Sequence, residues 1–101
     1  MFIQDSRSYA SEESDTVSVV ATAGGTQLLP QATSARNLLT ITNCDAGASM
    51  YIGIGFTPTS SLFTIKLGPE TVFGFDVTVP QDKIIALSSS GTISAKVYSG
   101  A

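Results

Sequence analysis

The sequence predicts an all-β fold. The expected form is a single antiparallel β-sandwich, jelly-roll-like or immunoglobulin-like, of about seven or eight short strands behind an extended N-terminal arm. Three observations carry this. Short apolar runs with period-two alternation recur along the chain, separated by Gly, Pro, Asp and Ser turn signals roughly every ten residues. Nowhere do apolar positions recur at three-and-four spacing over the length of a helix. Serine and threonine make up about a quarter of the chain while charged residues are only 13%. That balance suits pleated surfaces and turns, and lacks the alanine, glutamate and lysine of exposed helix faces.

The elements follow in order. Residues 1–15 read as a flexible acidic arm, polar apart from Phe2, Ile3 and Tyr9, with short strand pairing possible near Phe2 and Ile3; residues 16–101 read as the sandwich. "TVSVVATA" alternates through Val17, Val19 and Ala21 and stops at Gly24–Gly25. "TQLLP" is a short strand closed by Pro30, which cannot donate to a central ladder, and "QATSA" is a loop leading to Arg36. "NLLTITN" places Leu39 and Ile41 on one face; "SMYIGIG" places Met50, Ile52 and Ile54 on one face and Tyr51, Gly53 and Gly55 on the other. Between them "CDAGA" has turn chemistry, with Asp45 able to cap backbone amides. "FTPTSSLF" is a longer loop anchored by Phe56 and Phe63, "TIKL" is a short strand, and "GPE" is a β-turn around Gly68–Pro69. "TVFGFDVTV" sets Phe73, Phe75, Val77 and Val79 against Val72, Gly74, Asp76 and Thr78. "KIIALS" and "TISAKVYS" are joined by a turn around Ser90–Gly91, with Ile93, Ala95 and Val97 inward and Ser94, Lys96 and Tyr98 outward.

A chain of 101 residues makes one domain and buries roughly two-thirds of its unfolded surface. Its net charge of −3 sits wholly in residues 1–15, where Asp5, Glu12, Glu13 and Asp15 face Arg7; the remaining four acidic and four basic residues cancel. With no basic patch, nucleic acid is not an expected partner. The arm is either a solvated tail or a segment that docks on a basic surface during assembly. Cys44 has no second cysteine to pair with, which favours a reducing compartment. The opening "MFIQDSRSYA" lacks the pattern of a secretory leader, and no apolar run has bilayer-spanning length, so a soluble protein with no membrane partner is expected.

Catalytic readings find little to stand on. The chain has no histidine, which removes the usual triads and imidazole metal sites. Ser94 and Lys96 share a strand face, but nothing nearby desolvates the lysine as a lysine base requires. Asp76 and Asp82 flank a proline turn, where solvated carboxylates are common. Glu12, Glu13 and Asp15 lack the spacing and glycine of a calcium loop. "YIGIGF" is followed by no helix and lacks a correctly placed third glycine, so it is no nucleotide fingerprint. Asp45 beside Cys44 disfavours the thiolate. No catalytic residue, cofactor or metal is expected. Gly53 and Gly55 admit two readings: a tight core filled by aromatics such as Phe73 and Phe75, or close packing of a partner beside Tyr51.

The order of features resembles small all-β virion proteins of tailed bacteriophages, over about residues 36–100. An arginine precedes "LLTITN"; "YIGIG", a polar loop, "LGPE", an aromatic strand and "IIALSSSGTISAKVYSG" follow. "LGPE" departs from the more usual L-x-P-G form at Glu70. The resemblance implies a capsid decoration or cement protein on the virion surface, made in the host bacterial cytoplasm. It would bind the major capsid protein as a homo-oligomer, a dimer or a trimer. Phe2 and Ile3 of the arm, with Tyr51, Gly53, Gly55 and Phe56, are the expected interaction residues. The alternative is a receptor- or carbohydrate-binding sandwich associated with a tail or head fibre. That reading expects Tyr51, Phe56, Phe63 and Tyr98 to converge on one groove, and the absence of tryptophan counts against it.

Overall fold

The computed structural model describes residues 13–33, 35–75 and 78–100. They form eight strands: β1 (Glu13–Val19), β2 (Thr26–Leu29), β3 (Leu38–Asn43), β4 (Met50–Ile54), β5 (Ile65–Leu67), β6 (Val72–Phe75), β7 (Ile84–Ser88) and β8 (Ile93–Gly100). There is no helix among the described residues. Two four-stranded antiparallel sheets result, with orders β1-β8-β3-β6 (sheet A) and β2-β7-β4-β5 (sheet B).

The pairings have a simple logic. β1 pairs with β8, β2 with β7, β3 with β6 and β4 with β5, as in one long hairpin. The pairs β3–β8 and β4–β7 then roll that hairpin into two layers. This is jelly-roll connectivity, and it decides between the two sandwich types that the strand pattern left open.

Alternation sets the core. Leu39 and Ile41 on β3, Met50 and Ile52 on β4, Ile84 and Ala86 on β7, and Ile93, Ala95 and Val97 on β8 form one buried cluster with Val19. Full burial of each large aliphatic side chain contributes roughly 1.5–3 kcal/mol. The inward face read from the sequence for β8 holds, and the faces shared by Leu39 and Ile41 on β3 and by Met50, Ile52 and Ile54 on β4 are the inward ones. Two boundaries differ. β1 begins at Glu13, with Glu13 opposite Ser99 and Val19 opposite Ile93, so the sheet reaches into the span expected to be arm. It also ends at Val19, before the glycine pair, because Ala21–Gly24 form the turn towards β2.

Two buried polar side chains tie the ends of the roll together. Arg36 donates through its guanidinium to the carbonyls of Pro80 (2.9 Å), Asp82 (3.0 Å) and Pro30. Gln81 accepts from the Arg36 amide at 2.8 Å and donates back to its carbonyl at 3.0 Å. At the opposite end of β3, the wholly buried Asn43 donates to Ala48, Leu67 and Gly68 carbonyls at 2.9–3.2 Å. It therefore binds the β3–β4 turn to the β5–β6 turn.

Candidate functional site

The outward face of sheet B follows from its register. Tyr51 on β4 stands between Leu87 on β7 and Lys66 on β5, while Gly53 stands beside Ile85. The Phe63 ring lies 5.2 Å from the Tyr51 ring at 40°, and the Lys66 ammonium is 5.7 Å from the Tyr51 centroid. Both contacts fall within the range of aromatic and cation–π attraction.

The glycines of "YIGIGF" are explained by the chain itself. A Cβ on Gly53 would lie 2.4 Å from the Phe56 carbonyl oxygen and 3.0 Å from Pro58 Cδ. The 56–60 loop therefore folds back over β4 at this point, and Pro58 is fully buried there. Gly55 has φ +85, and a Cβ on it would meet the Asp82 carboxylate at 3.4 Å. The close approach read from the sequence is real at Gly53, but the approaching group is intramolecular. Neither of the two expected explanations, a filling by Phe73 and Phe75 or a partner subunit, describes it.

Covering part of β4 leaves the rest open. Between the 57–60 loop and the Ala21–Gly24 turn lies a cleft of about 390 Å³, with Tyr51 and Leu87 among its lining residues. Its walls are hydrogen-bonded. The Thr59 hydroxyl accepts from the Leu62 amide at 3.0 Å, and the Gly25 amide donates to the Thr22 carbonyl at 3.0 Å.

A second feature lies on sheet A. Each sheet ends in two edge strands, and three of the four carry features that discourage further pairing. The sequence of β1 includes Glu13 and Asp15. The register of β2 breaks between Gln27 and Leu29, with Pro30 just beyond. β5 is three residues long with Lys66 at its centre. β6 has neither a charge nor a register break within the strand, although Asp76 follows it in sequence: it reads Val-Phe-Gly-Phe, with Val72 61% and Phe73 39% exposed. Phe73 and Phe75 pack edge-to-face at 4.8 Å. Among the described residues, a Cβ on Gly74 would touch only Thr40 Oγ1, at 3.8 Å.

Of the expected interaction residues, Phe2 and Ile3 lie outside the described residues. Tyr51 and Gly53 lie on β4, with Gly53 buried beneath the 56–60 loop, whereas Gly55, read from the sequence as part of the strand, lies with Phe56 just beyond its end at Ile54. Of the aromatics proposed for one groove, Tyr51 and Phe63 meet, whereas Tyr98 belongs to sheet A, opposite Ser14 and Thr40. Sequence reasoning passed over Leu62, 61% exposed, and Val72. An apolar residue in a polar loop or on the outward face of an alternating strand is the signal that marks them. Cys44 is exposed. Asp45 caps the β3–β4 turn by accepting from the amides of Ala48 (2.7 Å) and Gly47 (2.9 Å), which hold its carboxyl below the ordinary carboxylate range. No group of acidic or cysteine side chains that could hold a metal occurs among the described residues.

In comparisons with known proteins, no family model, curated protein or solved structure matches this chain.

Proposed function

We propose that the protein is a non-enzymatic virion structural protein: a bacteriophage decoration or cement protein that binds major capsid subunits and stabilises the shell as a homo-oligomer. The observation that carries this reading is the β6 edge. It is the edge strand with neither charge nor register break, and it presents Val72 and Phe73 beside an unobstructed Gly74. An extended segment of a neighbouring subunit adds there by main-chain hydrogen bonding, and apolar burial against Val72 and Phe73 adds affinity. The jelly-roll layering supports the reading, because it holds this edge on a rigid frame. So does the resemblance of residues 36–100 to phage virion proteins. Phe2 and Ile3 of the arm are assigned further apolar contact on an adjacent subunit.

The role is tested by adding purified protein to empty capsids of the encoding phage that were assembled without it, then measuring the temperature at which the shells come apart. The expected result is a saturable rise that is lost in Val72→Glu, whose side chain faces outward and leaves the core intact. No rise at saturating protein would overturn the reading.

A further inference from the structure

We infer that the cleft over β4 and β7 is a binding site for a neutral saccharide. This inference stands apart from the capsid role, since it concerns sheet B and not the β6 edge. The volume of about 390 Å³ lies within the usual range for small-molecule sites. The chemistry of the lining selects the ligand class.

Among the described residues, none that lines the cleft is charged. Lys66 stands 5.7 Å from the Tyr51 ring centroid and belongs to β5, on the other side of β4 from Leu87; it is not among the residues that line the cleft. An anionic or cationic ligand therefore finds no counter-charge in that lining. An extended peptide finds no partner either. β4 is paired with β5 and β7, and β7 with β2 and β4, so the floor has no free strand edge to extend. What the cleft offers is an apolar floor, Tyr51 with Leu87, under hydroxyl-bearing walls.

Those hydroxyls divide into two sets. Thr59, Ser88 and Ser89 are used in holding the walls, through Leu62, Ser90 and Ser49 respectively. Tyr51, Thr57 and Ser60 have no hydrogen-bond partner among the described residues, and each hydroxyl both donates and accepts. A pyranose has one face of C–H groups and a rim of hydroxyls. The C–H face packs on the Tyr51 ring and Leu87, and the rim exchanges hydrogen bonds with Tyr51, Thr57 and Ser60. Because Pro58 is buried and the wall bonds are already formed, little ordering is needed on binding.

The test is a titration of the ¹⁵N-labelled full chain, followed by amide shifts. The probes are short linear oligomers of glucose, galactose, mannose and N-acetylglucosamine, each added to about 10 mM, which largely fills a site with a dissociation constant of about 1 mM. Oligogalacturonate and a proline decapeptide serve as comparison ligands. The expected result is a saturable shift of the amides of Gly24, Tyr51, Ser60 and Ser89 with at least one neutral oligomer. Ala23→Phe fills the mouth at an exposed position and is expected to weaken binding at least about tenfold. The double variant Thr57→Val, Ser60→Ala, which keeps the shape and removes two free hydroxyls, is expected to weaken it severalfold. The inference is overturned if no neutral oligomer shifts these amides, if the shifts centre elsewhere, if the variants bind unchanged, or if only the acidic oligomer or the peptide binds. None of those outcomes bears on shell stabilisation.

Discussion

Asn43, Gly53 and Glu70 show how single residues hold this roll in shape. Asn43 satisfies carbonyls of two turns from a buried position, so Asn43→Ala leaves acceptors without partners and is expected to lower unfolding stability by about 3 kcal/mol in urea titration. Gly53→Ala places a Cβ against the Phe56 carbonyl, and displacing that loop is expected to cost about 2 kcal/mol. Glu70 acts in the opposite direction. It alone among the described non-glycine residues has positive φ, +55, in the turn whose amide donates to the Asp45 carbonyl at 3.0 Å. Glu70→Gly is therefore expected to stabilise the protein by about 1 kcal/mol, read as a raised melting temperature. The sequence carried traces of all three. "LGPE" stood out as a departure at the position that proves strained. Gly53 announced a close approach without revealing what approaches, because the approaching group depends on how the 56–60 loop folds back. Asn43 closes an alternating strand like any polar residue, and its burial depends on two turns distant in sequence.

At the scale of elements, alternation made the inward faces of β3, β4 and β8 legible, because period two leaves a buried strand little choice of register. Strand limits were less legible. β1 extends to Glu13 because its partner β8 runs on to Gly100, a property of the pair and not of "SEESD" alone. The β3–β4 turn gives a pH prediction. Asp45 has its carboxyl held below the ordinary range by two backbone amides, so the stability it contributes is fully present above the usual unfolded carboxylate value. That contribution is lost as pH falls through the lowered folded value. Stability measured from neutral to strongly acidic pH should therefore decline below about pH 4 more in the native protein than in Asp45→Ala, which should already be weaker at neutral pH. Equal acid-side slopes would show that the capping bonds do not couple to folding.

At the scale of the molecule, a sandwich of seven or eight strands was readable from turn spacing, but the rolled order was not. Strand pairing joins residues as distant as Glu13 and Ser99, and no local pattern encodes which edges remain free. That order is what separates two faces with different prospects: a sheet B surface part-covered by its own loop and hollowed beside it, and a sheet A edge with exposed apolar residues and no charge. The proposed assembly runs through the second face, and sedimentation velocity of the purified protein, alone and with empty capsids of the encoding phage, reads it out. The expected result is a defined dimer or trimer that co-sediments with shells at a fixed stoichiometry, and a Val72→Glu variant that stays folded but remains behind. A folded monomer that leaves the shells unbound at saturating concentration would contradict it.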